Sequence, residues 1–220
     1  MEKLDPQKRK HEVKPAVRSL TPTAIRAAER HLAQACAVMA RLMVAHGRCG
    51  LAERDQQHFR TLANSIMGQQ LSAKAAATIR ARVEAIVPGF GPESFLRATP
   101  EALRQAGLSA AKIRSVRHLA ERVTDGRLDL TMLAELTDEE AIAELTAVSG
   151  IGRWTAEMFL IFGLKRPNVL ALRDAGLRRA ACLLYGDEAT LEALGKLWEP
   201  YCSVASWYLW RHLDAPPQPI

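Results

Sequence analysis

The 220-residue sequence has no apolar run near the length of about 20 residues that a membrane-spanning helix needs. It has no signal-peptide pattern: Met1 to Lys14 is charged and lacks an apolar segment. Cysteine is scarce. Cys36, Cys49, Cys182 and Cys202 form no CxxC pair, and no compact Cys/His cluster has metal-ligand spacing. Neither a zinc site nor an iron–sulfur cluster is therefore expected, and no metal is assigned. Runs of alternating polar and apolar residues, the mark of half-buried strands, are missing too. These absences argue against a membrane protein and a disulfide-stapled secreted scaffold. They point to reduced thiols and an intracellular place: cytoplasm or nucleoid in a bacterium, nucleus in a eukaryote.

What is present is an ordinary globular composition, 48% hydrophobic and 25% charged. The formal net charge is +6 and the pI near 9.4, which suits a polyanionic partner held through phosphate contacts. The length fits one domain or two closely packed subdomains. Residues 1–20, rich in Lys, Arg, Glu and Pro, read as a flexible basic leader. Residues 21–214 read as the folded body and 215–220 as a proline-bearing tail.

The body is helical by pattern. Thr21-Pro22 can start a long helix ending near Gly47. A second helix covers about Gln56 to Met67. Gly68-Gln69-Gln70-Leu71 interrupts the pattern, and Ser72 can cap a third helix towards Val87. Pro88 to Pro92 reads as a loop. Thr99-Pro100 opens a short helix that Gly107 ends, and Ser109 caps the next, running to about Val123. Thr137 with Glu140 has capping-box spacing and opens a helix to about Ala147. Further helices are expected over about 154–162, 175–185 and 200–212. The fold class is all-α.

The most informative stretch is Leu145 to Ala156. Two helices flank Ser149-Gly150-Ile151-Gly152-Arg153. Glycine permits backbone geometry closed to other residues and lets the main chain approach another surface. The second helix begins there, so its free N–H groups and dipole suit a phosphate. Ile151 would pack the two helices together. A bare GxG would more simply be a compact corner, but here both flanking segments are well patterned.

With those residues in view, the chain resembles the helix-hairpin-helix DNA glycosylase superfamily, nearest its 3-methyladenine DNA glycosylase II group. Val148 to Ala156 resembles the hairpin. Leu62 to Ala76 resembles the family's early helix–loop–helix segment, Val169 to Ala180 the segment with its catalytic aspartate, and Trp198 to Arg211 its last helix. The blocks fall in family order across residues 58–213. The resemblance implies two helical subdomains flanking a DNA-binding cleft.

It also implies a reaction. Breaking an N-glycosidic bond builds positive charge at C1′, which a carboxylate stabilises while it aligns or deprotonates water. Asp174 stands at the family's catalytic position. Locally it is also a favoured N-cap for the helix from Ala175, and the two roles are compatible, because N–H groups at a helix start stabilise an anion. Trp154 stands where bifunctional relatives carry a Schiff-base lysine, so the resemblance implies a monofunctional enzyme that uses water and leaves an abasic site. Trp154 would then wall the base pocket, where an electron-rich ring favours a cationic base. Tyr201 matches a second pocket position, and Phe59 fits either pocket or core. Trp198, Trp207 and Trp210 have spacings that suggest core packing.

The target base must be flipped out of the stack. The loop Gln69, Gln70, Leu71, Ser72 matches the family's minor-groove wedge, with Gln70 or Leu71 as the inserted residue. Ser149, Gly150, Ile151, Gly152, Arg153 and Thr155 are expected to meet the DNA backbone. The implied partner is double-stranded DNA carrying alkylated bases such as 3-methyladenine; no membrane is involved and a monomer suffices. No cofactor is implied beyond a monovalent cation that hairpin carbonyls could hold on DNA. Ala171 and Arg173, before the aspartate, and Cys202, after Pro200-Tyr201, depart from the family pattern. Two other classes fit part of the sequence: a glycosylase of different lesion specificity, and a non-catalytic hairpin module that only binds DNA. Trp154 argues against a lyase, and Asp174 against a module without chemistry.

Overall fold

The computed structural model describes residues 19–53 and 57–215. Among these residues it is all-helical, as the pattern predicts. The expected leader, residues 1–20, lies outside the described residues except for Ser19 and Leu20. Those two belong to the folded body: the Leu20 N–H donates to the Lys165 carbonyl at 2.8 Å, and the Leu20 side chain is buried. Of the tail, only Ala215 is described.

Helices α1 (Pro22–Ala35) and α2 (Ala37–His46) pack on each other and against the C-terminal group of α10 (Ala175–Tyr185), α11 (Leu191–Trp198) and α12 (Cys202–Asp214). The middle of the chain forms a second group. It comprises α3 (His58–Gly68), α4 (Ala73–Ile86), α5 (Pro92–Arg97), α6 (Pro100–Gln105), α7 (Ala110–Thr124), α8 (Asp138–Thr146) and α9 (Arg153–Phe162). The chain thus leaves the first group after α2, builds the second, and returns. No helix among the described residues is long and apolar enough to cross a membrane.

Most predicted starts are set by the capping chemistry expected of them. Thr21, Ser72, Thr99, Ser109 and Asp174 each accept from the N–H three residues on. Thr137 and Glu140 complete a reciprocal capping box. Three predicted spans differ from the structure. The single helix expected over 21–47 is two helices, because Cys36 adopts extended geometry (φ −151°, ψ 118°). Burial of Leu32 and Cys49 on either side of the bend, together with Met39 and Leu42, overrides local helix propensity there. The loop expected around Pro88–Pro92 gives way at Pro92 to the short α5, whose Phe95 is fully buried. Helix α11 was not expected; Thr190 caps it and Trp198 closes it inside the core.

One charged residue is built into the interior. Arg166, 2% exposed, donates to the Leu133 and Leu136 carbonyls at 2.6 Å each and pairs with Asp138. It ties the entry to α8 onto the strap that follows α9. These bonds use both terminal amino groups of the buried guanidinium, while its Nε has no partner among the described residues.

Two histidines give the fold a pH dependence. His46, ending α2, meets His212 of α12 with Nε2 to Nδ1 at 3.2 Å. Burial, then the facing His212 and nearby Arg211, hold His46 below the ordinary histidine range. Burial pushes His58 the same way, partly opposed by a backbone hydrogen bond at Leu130. The unfolded chain takes up these protons near pH 6.5, the folded chain only at lower pH. The unfolded state therefore binds more protons below about pH 6.5, and stability falls as pH drops through that value. Thermal unfolding should show a midpoint that declines from about pH 7.5 to about pH 5.5, with a shallower slope in His46→Asn. A midpoint that holds or rises over this interval contradicts the assignment.

Candidate active site

Asp174 sits at the junction of the two helical groups, 8% exposed. Its position follows from the local chain. The Asp174 N–H donates to the Ala171 carbonyl at 2.9 Å, which turns the strap into the start of α10. As the N-cap, Asp174 accepts the Leu177 N–H at Oδ1, 2.7 Å. The same oxygen accepts the Trp210 indole N–H at 3.0 Å, and Oδ2 accepts that of Trp154 at 2.7 Å. The cap and the indoles fix the carboxylate without any cation. Oδ1 has two donors and Oδ2 one, so Oδ2 keeps the freer lone pair.

The carboxylate opens onto a cavity of about 640 Å³. Its walls are aromatic and sulfur-bearing: Trp154, Met158 and Phe162 from α9, Trp207 and Trp210 from α12. Gly50, from the turn after α2, lies opposite, with Arg211 and Asp214 at the polar edge. Trp154 is 47% exposed and forms the outer wall, while Phe162 and Trp210 stack at 5.6 Å, tilted by 36°. Gly176 allows the close fit: a Cβ there would lie 3.1 Å from Asp174 Oδ1 and 3.4 Å from Trp210 Cδ1. Among the described residues, no lysine lines this cavity. A concave, largely aromatic chamber with one buried carboxylate suits a flat, electron-poor ring beside a centre of developing positive charge.

Of the three expected pocket residues, only Trp154 is here. Tyr201 instead lines a separate apolar groove with Leu20, Ala24 and Pro167, its ring edge-on to His31 at 5.4 Å. The reason is helical rise. Tyr201 caps α12, and Trp210 lies nine residues further on, about 13 Å along the axis. Trp210 lines the cavity, in addition to packing against the core as its spacing suggests. Trp207 likewise lines the cavity, whereas Trp198 is in the core as predicted. Phe59 packs on Phe95 at 5.7 Å inside the α3–α9 group, away from Asp174. Arg173 is exposed and lines a surface groove with Arg178; among the described residues it makes no ion pair with Asp174. Cys202 is a buried free thiol, pushed up to about 12 mainly by burial and also by Glu199.

The hairpin lies at the start of α9. Gly150 has φ +84°, a region that favours glycine, and its Cα faces Ser115 of α7. Gly152 is the N-cap, with no side-chain cap bond and open space beside it. Gly150 and Gly152 are exposed, so the turn and the start of α9 present backbone N–H groups outward, whereas the Ser149 N–H is taken by His118 Nδ1 at 2.9 Å. Ile151 is buried and packs between the helices, as expected.

Of the expected DNA contacts, the Thr155 side chain is turned inward and Arg153, though exposed, is engaged by carboxylates. The Thr155 side chain is buried at the seam, with Gln69 Nε2 at 3.5 Å from its hydroxyl. Arg153 donates to both carboxylate oxygens of Glu139, at 2.9 and 2.5 Å, and to Glu157 at 3.0 Å. This arginine on the second helix is thus anchored to the first, because acidic residues crowd the start of α8. Arg153 holds the Glu139 carboxyl below its usual range, while burial dominates at Glu157 and raises it.

The loop between α3 and α4 stands beside the hairpin. Gln69 bridges them, its side-chain amide donating to the Gly150 carbonyl at 3.0 Å. Gln70 is exposed with φ +58°, unusual for a residue with a long side chain, and Leu71 is 37% exposed. Ser72 caps α4. Among the described residues no group of three or more His, Cys, Asp or Glu could hold a metal.

Comparison with known proteins places this arrangement. Residues 63–200 match the model of the "HhH-GPD superfamily base excision DNA repair protein". A DNA-3-methyladenine glycosylase 1 of Schizosaccharomyces pombe is 32% identical over 178 residues, 77% of this chain and 78% of that protein. A crystal structure of a DNA-3-methyladenine glycosidase from Bacillus halodurans superposes with a TM-score of 0.75 at 41% identity, covering 85% of this chain and 89% of the other. The S. pombe 3-methyladenine DNA glycosylase in complex with abasic DNA gives 0.74 at 30% identity, over 86% and 97%. This chain spans 50 to 78% of the length of the first curated relatives it matches.

Proposed function

Because the chain belongs to the HhH-GPD superfamily of base excision DNA repair proteins, we propose that it hydrolyses the N-glycosidic bond of alkylated bases in duplex DNA. Asp174 beside an aromatic chamber that no lysine among the described residues lines carries this conclusion. An N3-alkylated purine nucleoside is already cationic. Its glycosidic electron pair leaves with the base, which departs neutral, and positive charge gathers at C1′. The Asp174 carboxylate stabilises that charge and orients water. The water oxygen bonds to C1′ and its proton passes to the carboxylate or onward to solvent. An abasic site remains. The aromatic walls favour the cationic base over a neutral one by ring–cation attraction. Trp154 and Trp210 keep the carboxylate aimed.

The hairpin N–H groups at Gly150 and Gly152 are suited to a backbone phosphate, and the exposed Gln70 and Leu71 to the space a flipped base vacates. The basic balance of +6 supports a polyanionic partner. A monomer, acting wherever the cell keeps its DNA, is sufficient for this chemistry. A monovalent cation on the hairpin carbonyls is compatible with the residues only if Gln69 first releases the Gly150 oxygen.

The test is incubation with N-methylated duplex DNA, scoring released bases and strand breaks. Released 3-methyladenine is expected, with breaks only after alkali, because no amine among the described residues lines the cavity to form a Schiff base. Breaks produced by the protein alone would refute the water-only route. Binding without any release would leave a hairpin module and reject the enzyme. Leu71→Ala should reduce release by about tenfold while leaving thermal stability unchanged, since its side chain is partly exposed.

A further inference from the structure

One helix touches both DNA-facing elements, although neither sequence block contains it. On α7, Lys112, Ser115 and His118 recur every three residues and so share a face. Lys112 Nζ donates to the Met67 and Gln69 carbonyls at 2.8 and 2.7 Å, closing the last turn of α3 where the exposed loop begins. Burial lowers the Lys112 ammonium from its usual range. Ser115 lies directly under Gly150, so close that a Cβ there would stand 2.2 Å from its hydroxyl. His118 Nδ1 accepts the Ser149 N–H at 2.9 Å. Along the axis, Lys112 and His118 are separated by about 9 Å.

We propose that Lys112 and His118 are positioning residues: α7 serves as a ruler that sets the loop of Gln70 and Leu71 at a fixed distance from the phosphate-facing hairpin. The claim rests on the DNA-binding reading of those two elements. The hydrogen bond requires the His118 ring to be unprotonated at Nδ1, since that atom faces an N–H donor. His118 thus uses one backbone donor at the hairpin's turn, and leaves the N–H groups at the start of α9 for a phosphate. Gln69, donating to the Gly150 carbonyl, closes the frame from the other side. The hairpin and the loop are thus joined directly by Gln69, and each is tied to α7, the loop by Lys112 and the hairpin by His118. An error of an ångström in their spacing would set the inserted side chain off the base step while the phosphates stay engaged.

The two contacts predict different signatures. The full chain is used with a duplex carrying a tetrahydrofuran abasic analogue for affinity, and with methylated duplex for release. His118→Leu should weaken duplex binding about tenfold, with release at saturating DNA within about twofold of wild type. His118→Asn should recover most of the affinity, because its Oδ1 accepts where Nδ1 did. Lys112→Met should do the reverse, slowing release at saturation about tenfold with duplex affinity nearly unchanged, and Lys112→Arg should restore it. Hydrogen exchange of residues 148–152 in free protein reads the His118 contact without DNA. It should quicken in His118→Leu and return in His118→Asn. Unchanged exchange overturns the His118 assignment whatever the activity. Equal losses in affinity and rate, tracking only a fall in thermal midpoint, overturn the ruler. Wild type that binds duplex but releases nothing defeats the enzymatic reading and, with normal exchange behaviour and the affinity change, leaves the His118 contact standing.

Discussion

Asp174→Asn should lower base release by about 10³-fold or more while duplex affinity and thermal midpoint stay near wild type. The contrast follows from what asparagine keeps. Asparagine is as good an N-cap as aspartate, so the Leu177 N–H still has an acceptor. With the amide oxygen at Oδ1, the Trp210 indole keeps its partner as well. The amide NH2 then falls at Oδ2, where it confronts the Trp154 N–H, donor against donor. Trp154 is nearly half exposed and can turn outward at little cost. The helix start therefore survives, and the negative charge beside C1′ is lost. Asp174→Ala lacks this discrimination. It also strips acceptors from three N–H groups and removes a cap, at a cost of about 1 kcal/mol or more. The measurement is single-turnover release from methylated duplex, with anisotropy for affinity and a thermal melt for fold. Release within tenfold of wild type in Asp174→Asn would remove the carboxylate from the reaction.

Asp174 also marks how far the sequence reaches. Its capping role was legible, because an aspartate directly before a patterned helix has a local signature; its proposed place in the reaction rested on the block order alone. The hairpin was legible for the same reason: Gly150 and Gly152 have local backbone consequences. The pocket was less so. Trp210 looked like core because its spacing from Trp207 suits an apolar helical stripe, and nothing local says that the stripe faces a carboxylate 36 residues upstream. Tyr201 sat in the right block but at the wrong end of α12. Gly50 reaches the cavity only through the return of the chain to its first helices, whereas Met158 follows Trp154 by one turn on the same face of α9. The pairing of Arg153 had a faint signal in the acidic cluster Asp138-Glu139-Glu140, yet only the packing of α8 on α9 selects Glu139 as its partner. The bend at Cys36 had no signal, since Ala35-Cys36-Ala37 contains no residue that breaks a helix. Local chemistry was readable; side-chain direction across long sequence separations was not.

Gly150→Ala should be the most damaging single methyl in the molecule for DNA binding, for two separable reasons. At φ +84° an alanine is strained by about 1 kcal/mol or more wherever it sits. Its Cβ would also lie 2.2 Å from Ser115 Oγ and 2.8 Å from Ser115 Cβ, distances that packed atoms do not tolerate. Ser115 cannot simply withdraw: it is buried, and its hydroxyl donates to the Ala111 carbonyl at 3.0 Å within α7. The hairpin must lift off α7 instead. Lifting breaks the Ser149 to His118 bond and the Gln69 to Gly150 bond together, so the losses are coupled. Duplex affinity should fall by about 100-fold and stability by about 2–3 kcal/mol. Gly152→Ala is the control, since the space beside Gly152 is open and its backbone is extended, at φ −88°. That variant should keep its fold. The Ser115→Gly background separates the two causes: removing the obstruction should return part of the lost affinity in Gly150→Ala, and the unrecovered part is backbone strain. If Gly150→Ala binds duplex as wild type does, the hairpin does not hold DNA through this turn. Full recovery in Ser115→Gly would instead assign the whole effect to the clash with α7.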